Sequence, residues 1–132
     1  MAQDLFDAAH AAMQKCHAPY SKFPVGAALR TKDGRIYSGC NIEVISFPEG
    51  WCAETTMLSH FVMAGGVKGE IAEILVMAEK LDKCSPCGGC RQRLAEFAGA
   101  DVPLHLCDST GIVQTVTMQE LLPFSFQTDV IG

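Results

Sequence analysis

Seven cysteines stand at positions 16, 40, 52, 84, 87, 90 and 107 of a 132-residue chain, and their placement limits the fold more than any other feature. An odd number cannot pair off completely. The N-terminus, Met1-Ala2-Gln3-Asp4, carries Asp7 and no basic residue before Lys15, so nothing there reads as a secretory leader and a reducing cytoplasm is expected. In that setting clustered cysteines point to metal binding or catalysis rather than to a disulfide framework.

Hydrophobic periodicity shows where the cysteines fall. Leu5, Ala9, Ala12, Met13 and Cys16 share one face of a helix over residues 4 to 16, which Pro19 stops. Val25 to Thr31 and Arg35 to Cys40 are two strands around Lys32-Asp33-Gly34, an Asp-Gly turn between apolar runs. Residues 43 to 51, with Pro48 and Gly50, read as a loop. Met57, Leu58, Phe61 and Val62 recur at helical spacing until Gly65-Gly66. Ile71 to Ala78 is apolar apart from Glu73, as in a strand covered on both faces, and Leu81 to Gly89 reads as loop. A third helix runs through Arg91, Leu94, Ala95 and Ala98. Val102 to Cys107 and Ile112 to Val116 are further strands, and Met118 to Leu122 is a short helix cut by Pro123. Helices alternating with short strands predict an α/β fold: a three-layer α/β/α sandwich around a mixed sheet of about five strands. No repeat, linker or change of composition divides it, so residues 1–132 are expected to form one domain.

Charge narrows the partners. With 10 Lys+Arg against 15 Asp+Glu, the net charge is −5, which disfavours a nucleic-acid coat or a polybasic membrane patch, since affinity for phosphate comes from cations. No apolar run approaches the roughly 18 residues of a membrane span. A small uncharged or cationic ligand is the partner such a chain accommodates.

The chemistry concentrates at two helix starts. Trp51-Cys52-Ala53-Glu54 opens the second helix, and Pro86-Cys87-Gly88-Gly89-Cys90 opens the third. Two cysteines separated by two residues can hold one metal from a turn; a third thiolate from elsewhere leaves a tetrahedral zinc with one open position. Helix N-termini suit thiolates, because the dipole and the free N–H groups stabilise negative charge. Glu54, two residues beyond Cys52, is spaced to project past a metal and exchange protons beside it.

These motifs resemble those of the zinc-dependent cytidine deaminases, in the short three-cysteine homotetrameric class. The similarity extends to Pro19-Tyr20-Ser21-Lys22-Phe23-Pro24-Val25-Gly26-Ala27-Ala28-Leu29, to Gly39-Cys40-Asn41-Ile42-Glu43 and to Leu121-Leu122-Pro123-Phe124-Ser125-Phe126, spanning roughly residues 19 to 126. The resemblance implies Cys52, Cys87 and Cys90 as ligands of one Zn2+ per subunit. It implies that zinc-bound hydroxide attacks C4 of the pyrimidine while Glu54 shuttles the protons, converting cytidine and 2′-deoxycytidine to the uracil nucleosides and ammonia in pyrimidine salvage. Asn41 and Glu43 match the ribose-binding pair, Phe23 the pocket aromatic, the Ala53 backbone the base-holding segment, and Phe126 the residue with which a neighbouring subunit closes the pocket of a homotetramer. Two departures stand out. Thr55 occupies a position where these deaminases often carry arginine, so Thr55, the helix dipoles and Arg91 are expected to share the offsetting of thiolate charge. In the loop, Phe47, Pro48, Glu49 and Trp51 replace smaller residues and bear on the preferred base or sugar.

Plainer readings stand beside these. Cys16, Cys40, Cys84 and Cys107 suit packing, as do Met57, Met63, Met77 and Met118; a Cys84-Cys87-Cys90 ligand set would leave Cys52 and Glu54 without a role. His10, His17, His60 and His105 have no partner at a motif spacing. Phe124 and Phe126 suit either the chain's own core or an interface. As whole-protein alternatives there remain a deaminase of cytosine-containing antibiotics similar to blasticidin S deaminase, a structural zinc domain with a fourth protein ligand, and a thiol redox protein using Cys87 and Cys90.

Overall fold

The computed structural model describes residues 2–79 and 85–126. The elements run α1 (Ala2–Met13), β1 (Val25–Thr31), β2 (Ile36–Cys40), α2 (Ala53–Met63), β3 (Ile71–Ala78), α3 (Gly88–Phe97), β4 (Pro103–Asp108), β5 (Gly111–Thr117) and α4 (Met118–Leu121), with a 3-10 turn at Phe47–Glu49 inside the expected loop. The strands form one sheet in the order β2-β1-β3-β4-β5. It is mixed: β3 and β4 are parallel, and the other neighbours are antiparallel.

Alternation along the strands sorts the side chains into two cores. On one face Leu5, Ala9 and Met13 of α1 pack against Ala28, Leu75, Met77 and Cys107. On the other, α2, α3 and α4 bring Met57, Phe61, Leu94, Met118 and Leu121 onto Ala27, Leu29, Ile74, Val76, Leu104 and Leu106. The three layers are therefore those expected, and each fully buried large side chain contributes about 1.5–3 kcal/mol. Phe61 lies at the centre of the larger core, edge-on to both Tyr37 and Phe97. Arg30 ties α1 to the sheet through Asp4, at 2.5 Å, and Glu73, at 3.0 Å.

Two glycines set how closely the outer layers approach. A Cβ on Gly26 would lie 2.1 Å from the carbonyl oxygen of Ala9, and one on Gly39 would lie 2.4 Å from the Met57 nitrogen and 2.7 Å from the Ala53 carbonyl oxygen. Gly39 thus lets the first turns of α2 press directly on β2. The β1–β2 turn closes as expected, with Gly34 at a φ of 93° and its N–H donating to the Thr31 carbonyl.

The differences from the sequence reading are local. Helix α1 ends at Met13, not residue 16: the N–H groups of Lys15 and Cys16 turn back to Ala12 and Met13, and the chain then swings so that His17 pairs with Ile42. Val62 and Met63 are exposed at the end of α2, whereas Met57, Met77 and Met118 are buried. Cys107 is buried and Cys16 and Cys40 are partly so; Cys84 and the start of its expected loop lie outside the described residues. Phe124 and Phe126 are exposed and close neither core.

Candidate metal centre and active site

Three segments meet at Ile42. The N–H of Ile42 donates to the Trp51 carbonyl and the N–H of Trp51 donates back, both at 3.0 Å, while His17 takes the other side of the same segment. This pairing sets the 41–43 segment beside the residue that precedes Cys52. Cys52 is the N-cap of α2 and Cys87 the N-cap of α3, and neither side chain makes a capping hydrogen bond. Cys90 follows in the first turn of α3, fully buried, with Cys52 half-buried and Cys87 exposed.

The sulfurs of Cys52, Cys87 and Cys90 lie within 4.8 Å of one another. Bonds of about 2.3 Å to a tetrahedral zinc bring sulfurs to roughly 3.8 Å apart, so the triad suits that ion and leaves one position for a further ligand. The charge distribution agrees. Thiol donation from Cys90 lowers the Cys52 thiol to about 6, against the opposing effect of burial and with help from Cys87 and the Arg93 guanidinium. The same hydrogen bond raises Cys90, as do its burial and the surrounding negative groups. A divalent cation offsets the negative charge that such a sulfur set gathers.

Glu54, in the first turn of α2, does not belong to the sulfur set and is 5% exposed. Burial pushes its carboxyl up to about 7, and the negative charge of Cys52 adds to the effect. A group with a pKa near neutrality both accepts and returns protons at ordinary pH.

The expected ribose pair holds the neighbouring wall together. Asn41 Oδ1 accepts from the Val25 N–H and its Nδ2 donates to the Phe23 carbonyl, each at 2.9 Å. One amide hydrogen and one lone pair then remain for a ligand. Glu43 Oε1 accepts the N–H groups of Tyr20 and Ser21, both at 3.1 Å, and Oε2 accepts the Ser21 hydroxyl. The Ser21 hydroxyl and then its N–H hold the Glu43 carboxyl below its ordinary value. Glu43, Tyr20, Ser21 and Phe47 line a cavity of about 240 Å3 in which the Tyr20 and Phe47 rings lie 5.5 Å apart. Phe23 is half-buried at the edge of this wall, Ala53 is fully buried as the first residue of α2, and Phe126 lies by α3, its carbonyl accepting from Gln92 Nε2 at 3.2 Å.

Arg91 does not play the part expected of it. Its guanidinium donates to the carbonyls of Pro86, at 2.8 Å, and Leu121, at 2.9 Å, and to the Ser85 hydroxyl at 3.2 Å, bracing the segment that carries Cys87. The arginine beside the sulfurs is Arg93, with Nη1 3.8 Å from Cys90 Sγ and 3.3 Å from Thr55 Oγ1. The sequence reading passed over it, although three residues from Cys90 is the spacing that puts two side chains on one helix face.

Comparison with known proteins agrees with this geometry. A model of the cytidine and deoxycytidylate deaminase zinc-binding region matches residues 1–106. The chain is 42% identical over 118 residues to a cytidine deaminase of Sporosarcina psychrophila, covering 89% of this chain and 85% of that protein. It is 39% identical over 127 residues to the cytidine deaminase of Halalkalibacterium halodurans, covering 96% and 95%. Among solved structures, the cytidine deaminase of Burkholderia pseudomallei superposes with a TM-score of 0.90 at 40% identity, covering 96% of this chain and 99% of that one. Sequence, sheet order and the three gathered thiols lead to one conclusion: the chain belongs to the zinc-dependent cytidine deaminase family.

Proposed function

We propose that this protein hydrolyses the 4-amino group of cytidine and 2′-deoxycytidine, giving uridine or 2′-deoxyuridine and ammonia. The observation that carries the reading is the gathering of the Cys52, Cys87 and Cys90 sulfurs within 4.8 Å of one another, with the buried Glu54 in the first turn of the helix that Cys52 caps. Zinc, when held by Cys52, Cys87 and Cys90, supplies a Lewis acid that brings the pKa of water towards neutrality. The chain's own residues do the rest. Glu54 removes a proton from the water that adds to C4, delivers it to N3, and carries a second proton to the departing amino group, so that ammonia leaves and the C4–O bond becomes a carbonyl. The Ala53 backbone holds the base, and Phe23 covers it. Asn41, with its remaining N–H, and Glu43, a pure acceptor, bind ribose hydroxyls while keeping their wall in shape.

The same reading makes the working enzyme a cytoplasmic homotetramer for pyrimidine salvage, built from chains that each form one domain over 1–132. Exposed Ile45, Phe47 and Trp51 in one short segment, and Phe124 and Phe126 in another, support an assembly, since apolar side chains clustered in water mark interaction surfaces. Phe126 then completes the pocket of a neighbouring subunit. Among the described residues, no helix is long and apolar enough to cross a membrane.

A second reading, deamination of a cytosine-containing antibiotic, draws on the aromatic loop, because the Tyr20 and Phe47 rings, 5.5 Å apart, line the cavity beside Glu43 where the group attached to the base would sit. An assay of the purified protein across cytidine, deoxycytidine, cytosine, CMP, adenosine and blasticidin S decides between them. Turnover of the two nucleosides ahead of the rest is the expected result. Turnover of blasticidin S alone establishes the second reading, and turnover of none overturns both.

A further inference from the structure

Three thiolates around one divalent ion leave a centre of net negative charge, which weakens the ion as a Lewis acid and sets the sulfurs against one another. Helix N-termini offset part of that charge, but Thr55, next to Glu54, is neutral. On α3 the two arginines nearest the sulfurs have divided roles: Arg91 donates to the Pro86 and Leu121 carbonyls, whereas Arg93 Nη1 lies 3.8 Å from Cys90 Sγ. Arg93 and Cys90 are three residues apart on one helix face, and helical side chains lean towards the N-terminus, which brings the guanidinium back over the first turn. The guanidinium passes over Gly89, where a Cβ would lie 3.6 Å from Arg93 Nη1, an ordinary contact. Arg93 Nη1 is also 3.3 Å from Thr55 Oγ1, and that oxygen is 3.9 Å from Cys90 Sγ. Because the guanidinium can only donate, Thr55 accepts from it and its own hydroxyl hydrogen is free to turn to the sulfur.

We propose that Arg93, with Thr55 as its relay, is a positioning residue that neutralises thiolate charge at Cys90 and thereby sets the zinc affinity and Lewis acidity of the centre. The inference rests on the zinc-deaminase reading of the triad and goes beyond it by assigning the compensating cation. Arg93 touches no substrate; it acts through Cys90.

The test compares wild type, Arg93→Ala, Arg93→Lys and Arg93→Ala/Thr55→Arg. Each is loaded with zinc for competition against a chromophoric chelator, and with cobalt for its sulfur-to-metal charge-transfer band. Arg93→Ala should lower zinc affinity and kcat by roughly 10- to 100-fold, the usual consequence of losing a group that supports a metal ligand. It should also move the charge-transfer band to longer wavelength, because the sulfur electrons are held less tightly, while KM for cytidine stays near the wild-type value. Arg93→Lys should recover part of the loss, and a guanidinium returned from position 55 should recover more. Wild-type zinc affinity and an unmoved band in Arg93→Ala overturn the proposal while leaving the triad intact. A wild-type protein that takes up neither metal overturns the zinc reading itself.

Discussion

At Glu54 the sequence shows a carboxylate two residues past a cysteine, and burial turns it into a group poised near neutral pH. The metal centre was legible because its three thiols stand at motif spacings, a pair on one turn and a third before another helix, and the fold brings the two helix starts together. The supporting interactions were less so. Asn41 and Glu43 read as sugar ligands, yet both also bridge backbone groups of the 19–25 segment, a use that depends on how β2 runs beside that segment. Asn41→Ala leaves the Val25 N–H and the Phe23 carbonyl without their partner. It should lower the unfolding free energy of the zinc-loaded protein in urea by about 1–3 kcal/mol, as well as raising KM. A variant with altered KM and unchanged stability would show that Asn41 serves the ligand alone. Arg93 was missed for a different reason: its spacing from Cys90 is a local signal on α3, but its second partner, Thr55, comes beside it only where α2 and α3 meet.

Among the elements, the strands are legible because short apolar runs and an Asp-Gly turn are local signals, whereas helix ends depend on tertiary pairing. Helix α1 stops at Met13 because the 15–17 segment is drawn towards Ile42, a contact 25 residues away that no local propensity encodes. The register of β4 places Cys107 inward against α1, and burial pushes its thiol up to about 12 from 9.0. The folded protein then keeps a proton that the unfolded chain releases between those values, so stability falls as pH rises through that window. Relative to Cys107→Ala, the wild type should lose about 1.4 kcal/mol more per pH unit from pH 9 to pH 11, followed by denaturant unfolding. Parallel pH profiles for the two proteins would place Cys107 in contact with water.

For the molecule as a whole, the layer order and mixed sheet followed from the alternation of helices and strands, while the proposed tetramer draws on surfaces a single chain leaves open. Phe126 is exposed, and the tetramer reading assigns it to a neighbour's pocket. Sedimentation should give four times the 14.2 kDa chain mass, and Phe126→Ala should raise KM for cytidine at unchanged zinc content. A monomer with full activity would refute that assignment. The central claim is that the thiol triad and Glu54 act as one deamination centre. Its most direct test is ammonia release from cytidine, measured together with bound zinc, for wild type and Glu54→Gln. The expected result is about one zinc per chain in both proteins, with kcat reduced by roughly 10^2- to 10^4-fold in the variant. Equal turnover by the two proteins, or a zinc-loaded wild type that releases no ammonia, would contradict it.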